Sequence, residues 1–384
     1  MKKKVCLTIT TRGNYAKLKS LIDSISQDPD LELQLAIGGM AVLTKYGRIF
    51  TQLENLDCTI RTINFVIEGE NLSTMAKSSG VALLEFSTAF EELKPDIVFV
   101  IADRFECLPI AIAASYMNIP VAHVEGGEIT GSIDESIRHA ITKIAHVHFP
   151  SSTEAADRIE KMGEERSSIF KVGSSSMDML LRCDLDDIEK INEYIINWGS
   201  GPIFKIEKKN FITILQHPVT TEYQHNEKYM EETIKALNSF NMPKIWIMPN
   251  MDGGSDFINK SIRKYRESEY SKKTHFFKAL PIEYYGPLLK NTICLIGNSS
   301  SGIREAAFLG TPTVNIGTRQ QGRERGENVI DVDNNSEEIK DAINKQIKNK
   351  NFTPNYLYGN GHSAEKIKKV IKNLDISIQK KNSY

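Results

Sequence analysis

The sequence predicts an α/β protein of two Rossmann-like, doubly wound domains facing a cleft. Three observations carry this. Short apolar runs rich in β-branched residues recur along the chain, with helix-length amphipathic segments between many of them. The runs are apolar throughout instead of alternating with polar residues, as strands buried on both faces of a parallel sheet require. The whole pattern also occurs twice, on either side of a polar, charged stretch at 183–210.

In the first half the strand candidates are VCLTIT (5–10), LQLAI (33–37), IVFVIA (97–102), IPVAHV (119–124), HVHFP (146–150) and IFKVG (169–173). Helices are expected at 15–27, 76–92, 106–117 and 135–145. The second half offers FITILQH (211–217), KIWIMPN (244–250), HFFKAL (275–280), TICLIG (292–297), TPTVNIG (311–317) and NVIDV (328–332). The stretch 183–210 reads as the hinge, and 362–380 as one long helix. The expected domains are 1–180 and 181–365, with 366–384 crossing back onto the first, as in other two-domain folds of this kind.

Composition narrows the function. With 384 residues, 40% hydrophobic, 25% charged and a net charge of −1, the chain is an ordinary globular mixture without a field that would gather nucleic acid or an acidic membrane surface. Five scattered cysteines read as reduced thiols in a cytoplasmic protein. No stretch approaches the ~20 apolar residues of a membrane span. No cluster of ligand spacing recommends a metal, and His146 and His148, on one face of a strand, read as structural.

In open α/β sheets ligands gather beyond the carboxyl ends of the strands. There the first strand is followed by TTRGNYAKLK, where Arg12 and Lys17 flank a turn carrying Gly13 and Asn14, a setting that suits an anion. Asp103 and Arg104 follow a wholly apolar strand, an expensive place for charge unless it is solvated or used. Then comes HVEGGEITGSIDESIRHAITK, which sets Glu125, Glu128, Asp134 and Glu135 among glycines, with Arg138 and His139 one turn on. Carboxylates at neighbouring strand ends, Asp103 and Glu125, suit acid–base work, because each perturbs the other's proton affinity. Asp134 is a candidate third acid or a cap for the helix at 135–145. In the second half His217 ends a strand, Asn250 ends another, and GNSSSGIRE places Ser299 and Ser300 at a helix start with Glu305 a turn later. That start is a candidate phosphate cradle, unlike a Walker loop or GxGxxG.

Taken together, TRxxYxKLK, DRFE, the 123–143 stretch, QHPVTT and GNSSSGIREAAFLGTPTVNIGTRQQGRERGENV resemble the hydrolysing UDP-N-acetylglucosamine 2-epimerases of sialic-acid biosynthesis, from residue 4 to about 370. The resemblance implies a glycosyltransferase-B-like fold and conversion of UDP-N-acetylglucosamine and water to N-acetylmannosamine and UDP, without metal or cofactor. It implies Asp103, Glu125 and Asp134 as the acids, with Arg138 and His217 also catalytic. It implies Arg12, Gly13, Lys17, Arg104, His139, Asn250, Ser299, Ser300, Glu305 and Arg319 as contacts to UDP and sugar. A homodimer or homotetramer is expected. One departure stands out: the family's Arg-Ala-acid-Tyr reads Arg12-Gly13-Asn14-Tyr15 here, so only a hydrogen-bonding or capping role survives at Asn14. The density of acids beside cations then has a reason, since a weakly acidic C2–H needs a close, desolvated carboxylate while cations hold the departing diphosphate. The alternatives are the same chemistry on a UDP-diacetamido-trideoxyhexose, a non-hydrolysing epimerase, a glycosyltransferase of the same fold, and a non-catalytic UDP-sugar-binding regulator.

Overall fold

Runs that are apolar at every position become strands whose alternate side chains enter two different cores. In the first sheet Ile97, Phe99 and Ile101 join one cluster with Val5, Leu7 and Ile9, whereas Val98 and Val100 join a second with Phe86, Phe90 and Ile110. This is the period-two geometry of a strand covered by helices on both sides. The structure, a computed structural model, describes residues 2–43, 53, 56–69, 71–249, 252–349, 352–381 and 383.

Among the described residues the first sheet has strands β1 (Lys3–Ile9), β2 (Leu31–Gly38), β3 (Thr59–Ile63), β4 (Ile97–Ile101), β5 (Val121–Val124) and β6 (Val147–Phe149). All pair in parallel, in the order β3-β2-β1-β4-β5-β6. The second has β7 (Ile212–Leu215), β8 (Lys244–Ile247), β9 (Thr274–Phe277), β10 (Leu295–Gly297), β11 (Thr313–Ile316) and β12 (Val329–Val332), also parallel, in the order β12-β11-β10-β7-β8-β9. Each is a doubly wound α/β sheet whose strand order reverses between its first and fourth strands, β1 and β4 or β7 and β10.

The chain divides into two compact units. One comprises the residues up to Glu128, then Ile133–Leu181 and the segment from Tyr358 onward; the other comprises Ile129–Ser132 and Arg182–Leu357. In the first, helix Ser363–Asn373 lies with helix Arg12–Ser26, and Ala364, Ile367 and Ile371 complete the cluster that holds Leu18 and Leu21. Asp178 fixes the start of the later helix, accepting from the Ser363 amide (2.9 Å) and hydroxyl (2.9 Å) and the Ala364 amide (2.8 Å).

Three sequence expectations need correction, and one strand has to be added. The 169–173 run forms no strand: Ile169 makes an isolated bridge to His148. The edge strand β3 was missed because its TIRTI is mostly exposed and lacks an apolar run. The last helix stops at Asn373, where Leu374 turns extended and Ile376 and Ile378 favour extended backbone over helix. Finally, 183–210 is no bare hinge, since it contains helix Ile188–Asn197 with Ile191 and Ile195 buried. Among the described residues no helix is long and apolar enough to cross a membrane.

Candidate active site

In the first unit, Arg12 opens a helix directly after β1. Thr11 is its N-cap and accepts from the Asn14 amide at 3.1 Å. Gly13 and Asn14 therefore lie in a first helical turn, not in a loop. A side chain at Gly13 would meet only the Thr11 hydroxyl, at 3.6 Å, so nothing there demands glycine. Asn14 is buried and accepts from the Thr10 hydroxyl at 2.7 Å, a hydrogen-bonding role that needs no charge. Lys17 points to Glu125, its ammonium 2.6 Å from Oε2.

The chain leaves both β4 and β5 through a left-handed residue that is not glycine, Ala102 at φ +61° and Glu125 at φ +61°. Such backbone costs about 1–3 kcal/mol and gathers at functional sites. It brings Asp103 and Glu125 out at neighbouring strand ends. Asp103 forms an ion pair with Arg138, whose side chain is 1% exposed against 19% for the carboxylate. Arg138 also donates to the Glu128 carbonyl at 2.5 Å. Glu125 is wholly buried and holds Lys17 on one oxygen and the Ser174 hydroxyl, at 2.6 Å, on the other. Ser174 in turn lies 2.8 Å from Ser176.

Asp134 begins the helix Asp134–Ile144, but it is not the cap. Ile133 holds that position in helical backbone and makes no side-chain capping bond. Asp134 is a first-turn acid instead, where a negative charge complements the helix dipole. His139 lies 3.9 Å from Glu135, and burial, with the Arg138 guanidinium beside it, holds its pKa below the ordinary histidine value. The neutral form is thereby favoured. Arg104 is turned to Glu106, donating at 3.1 Å, and to the Met40 sulfur at 3.8 Å. His148 meets Glu164 at 3.1 Å and His146 the Ile378 carbonyl at 3.1 Å, both structural contacts.

In the second unit the analogous strand ends meet on Asn298. Its side chain accepts from the His217 amide at 2.7 Å and donates to the His217 carbonyl at 2.9 Å, clamping the ends of β7 and β10. Its own carbonyl receives Arg319 at 3.1 Å and Gln320 at 2.9 Å. Ser299 caps the helix that follows, accepting from the Ser301 amide at 3.3 Å. That helix is only Ser300–Ile303; the backbone breaks at Arg304, and Glu305–Leu309 is a separate turn. A macrodipole from four residues is slight, so an anion there would be held by hydroxyls and amides. Glu305 is buried, and its Oε2 has no hydrogen-bond partner among the described residues. Asn250 lies outside the described residues.

His217, Ser299, Ser300 and Arg319 thus gather beyond the carboxyl ends of β7, β10 and β11, and Arg12, Asp103 and Glu125 beyond β1, β4 and β5. Sequence reading missed Ser174 and Gln320. The hydroxyl-rich GSSSMD after an apolar run was a usable signal for the first. No group of three or more His, Cys, Asp or Glu among the described residues could hold a metal.

The sequence model of the UDP-N-acetylglucosamine 2-epimerase family matches residues 23–372. The chain belongs to this family. It is 33% identical to a UDP-N-acetylglucosamine 2-epimerase of Neisseria meningitidis over 99% of this chain and 98% of that one. It is 31% identical to a hydrolysing UDP-N,N'-diacetylbacillosamine 2-epimerase of Legionella pneumophila over the full length of both. Among solved structures, the UDP-GlcNAc 2-epimerase of Methanocaldococcus jannaschii, with UDP-GlcNAc and UDP, superposes at a TM-score of 0.78 with 20% identity, covering 96% of this chain and 99% of that one. A UDP-GlcNAc 2-epimerase of Neisseria meningitidis bound to UDP-GlcNAc gives 0.77 with 17% identity, covering 96% and 100%. These likenesses show the fold. The chain is an enzyme of the 2-epimerase family.

Proposed function

We propose that this enzyme is a hydrolysing 2-epimerase that converts UDP-N-acetylglucosamine and water to N-acetylmannosamine and UDP, feeding sialic-acid (nonulosonic-acid) synthesis. The observation that carries the reading is the Asp103–Arg138 pair with Glu125 and Asp134 in the same unit: proton carriers beside a cation. The name of an Escherichia coli relative, polysialic acid biosynthesis protein P7, 33% identical over 86% of this chain, agrees with the pathway.

In the first half-reaction a carboxylate takes the C2 proton. The C–H electrons form the C1–C2 double bond, and the C1–O bond breaks with its pair leaving on UDP. In the second, water oxygen bonds C1, a base takes one water proton, and C2 is protonated on the face that gives the manno configuration. Asp103 and Asp134, both partly exposed, are the groups proposed to exchange protons with the sugar. Glu125, pinned by Lys17 and Ser174, is the third acid. Arg138 steadies Asp103 and faces the charge that develops. In the second unit His217, Ser299, Ser300 and Arg319 are proposed to hold the diphosphate, and Glu305, with an open buried oxygen, the ribose hydroxyls.

A coupled assay for UDP release with NMR of the sugar tests this; re-addition of UDP to give a UDP-sugar epimer would overturn the hydrolytic reading. A second reading, the same chemistry on a UDP-diacetamido-trideoxyhexose, is favoured by the Legionella relative and by a Campylobacter jejuni diacetylbacillosamine 2-epimerase, 33% identical over 92% of this chain. Product analysis with both nucleotide sugars decides between them.

Ser300→Ala is expected to weaken UDP binding by ~1–2 kcal/mol, the scale of one hydrogen bond to a charged group. Titration calorimetry showing unchanged affinity would remove Ser300 from the diphosphate site. Turnover is expected to persist in EDTA, and activity lost there and restored by Mg2+ would contradict a metal-free mechanism.

A further inference from the structure

The strand β5 carries a histidine, His123, that is wholly buried, with the buried His148 as its partner on β6. Its Nε2 lies 2.9 Å from the Ala102 carbonyl, and its Nδ1 lies 3.2 Å from the Thr142 hydroxyl. A carbonyl can only accept, so Nε2 carries the proton and Nδ1 is the acceptor. Burial pushes the pKa down to about 3, which keeps the ring uncharged in this tautomer at neutral pH.

The three groups around the ring each adjoin the candidate site. Ala102 is the left-handed residue directly before Asp103. Thr142 sits one turn after Arg138 on the same helix, and its single hydroxyl proton can go to Nδ1 or to the Arg138 carbonyl, 3.1 Å away. Gly126, directly after Glu125, lies so close that a Cβ there would stand 2.7 Å from Nδ1. No apolar side chain of this size could make both polar contacts. A buried hydrogen-bonded ring is costly to disturb, because either partner would be left unsatisfied.

We propose that His123 is a positioning residue for the reaction, a strut that fixes the backbone behind Asp103 to the helix that carries Arg138. The proposal rests on the assignment of Asp103 and Arg138 to the reacting sugar. Its reach is mechanical: a shift of about 1 Å in a reacting group can cost ~100-fold in rate.

The test uses the full chain with His123→Leu and His123→Gln. Leu fills the space without either hydrogen bond, while the Gln amide reaches the Nε2 position and can still donate to Ala102. For His123→Leu the expected result is a kcat ~10–100-fold below the parent, with KM and UDP affinity within about twofold. His123→Gln should recover most of that loss. A folded His123→Leu protein with parental kcat, or one more active than His123→Gln, would overturn the proposal, because a merely packing residue prefers the apolar replacement. If the parent itself does not turn over UDP-N-acetylglucosamine, the functional reading fails separately. The strut is then judged from a crystal structure of His123→Leu: a displaced Asp103–Arg138 pair supports it, and an unmoved pair overturns it.

Discussion

Asp103→Asn is expected to lower turnover by ~10²–10⁴-fold, the usual scale for losing a general acid or base. It should also destabilise the first unit. Arg138 is 1% exposed, and its charge is balanced by Asp103. Breaking a buried pair by removing one partner costs about 3–5 kcal/mol, because the other charge stays buried. A loss of activity alone would therefore be ambiguous. Adding Arg138→Met separates the stability loss, since the double variant removes the stranded charge and keeps an apolar side chain of similar length. Its urea midpoint should return towards the parent, and the rate is read on Asp103→Asn itself, where Arg138 is intact and UDP release per folded molecule should stay slow. If the double variant recovered turnover along with stability, Asp103 would be only the counter-charge of a structural arginine.

Glu125→Gln is expected to fall on the same scale, for a different reason. Both carboxylate oxygens already carry donors, Lys17 at 2.6 Å and Ser174 at 2.6 Å. The Gln carbonyl can keep Ser174, but its NH2 would then face the Lys17 ammonium, two donors with nothing between them. The side chain would be displaced as well as neutralised. Pairing the change with Lys17→Met removes the donor conflict and leaves the missing carboxylate as the main difference. Turnover in the double variant should stay ~10²–10⁴-fold down at near-normal UDP affinity. Recovery to within a few-fold of the parent would assign Glu125 to holding Lys17, and the proton transfers to Asp103 and Asp134.

Much of the fold was legible because burial on both faces leaves a plain trace: a strand such as IVFVI must be apolar at every position when Phe99 and Val98 enter different cores. The edge strand β3 had only one residue, Ile63, to bury, and left no such trace. The site residues were partly legible for a topological reason, because charge beyond the end of an apolar strand is hard to explain by packing. Their partnerships were not. Lys17 and Glu125 are 108 positions apart, and no local pattern says that a helix cation will close on that carboxylate instead of on an anion. Nor does composition reveal that GNSSSGIRE breaks at Arg304 into two short turns, which leaves little helix dipole for the proposed anion.

The interleaving of the two units makes the first one depend on both ends of the chain. The second unit is complete once Leu357 has been made, whereas the cluster behind β1 and β4 still lacks Ala364, Ile367 and Ile371. Domains commonly mature from the amino end as the chain emerges. Here the amino-terminal sheet, though translated first, keeps Leu18 and Leu21 uncovered until the last helix arrives. The half that carries the proposed acids therefore depends on the last residues made, and a chain ending at Leu357 lacks the helix that covers Leu18 and Leu21.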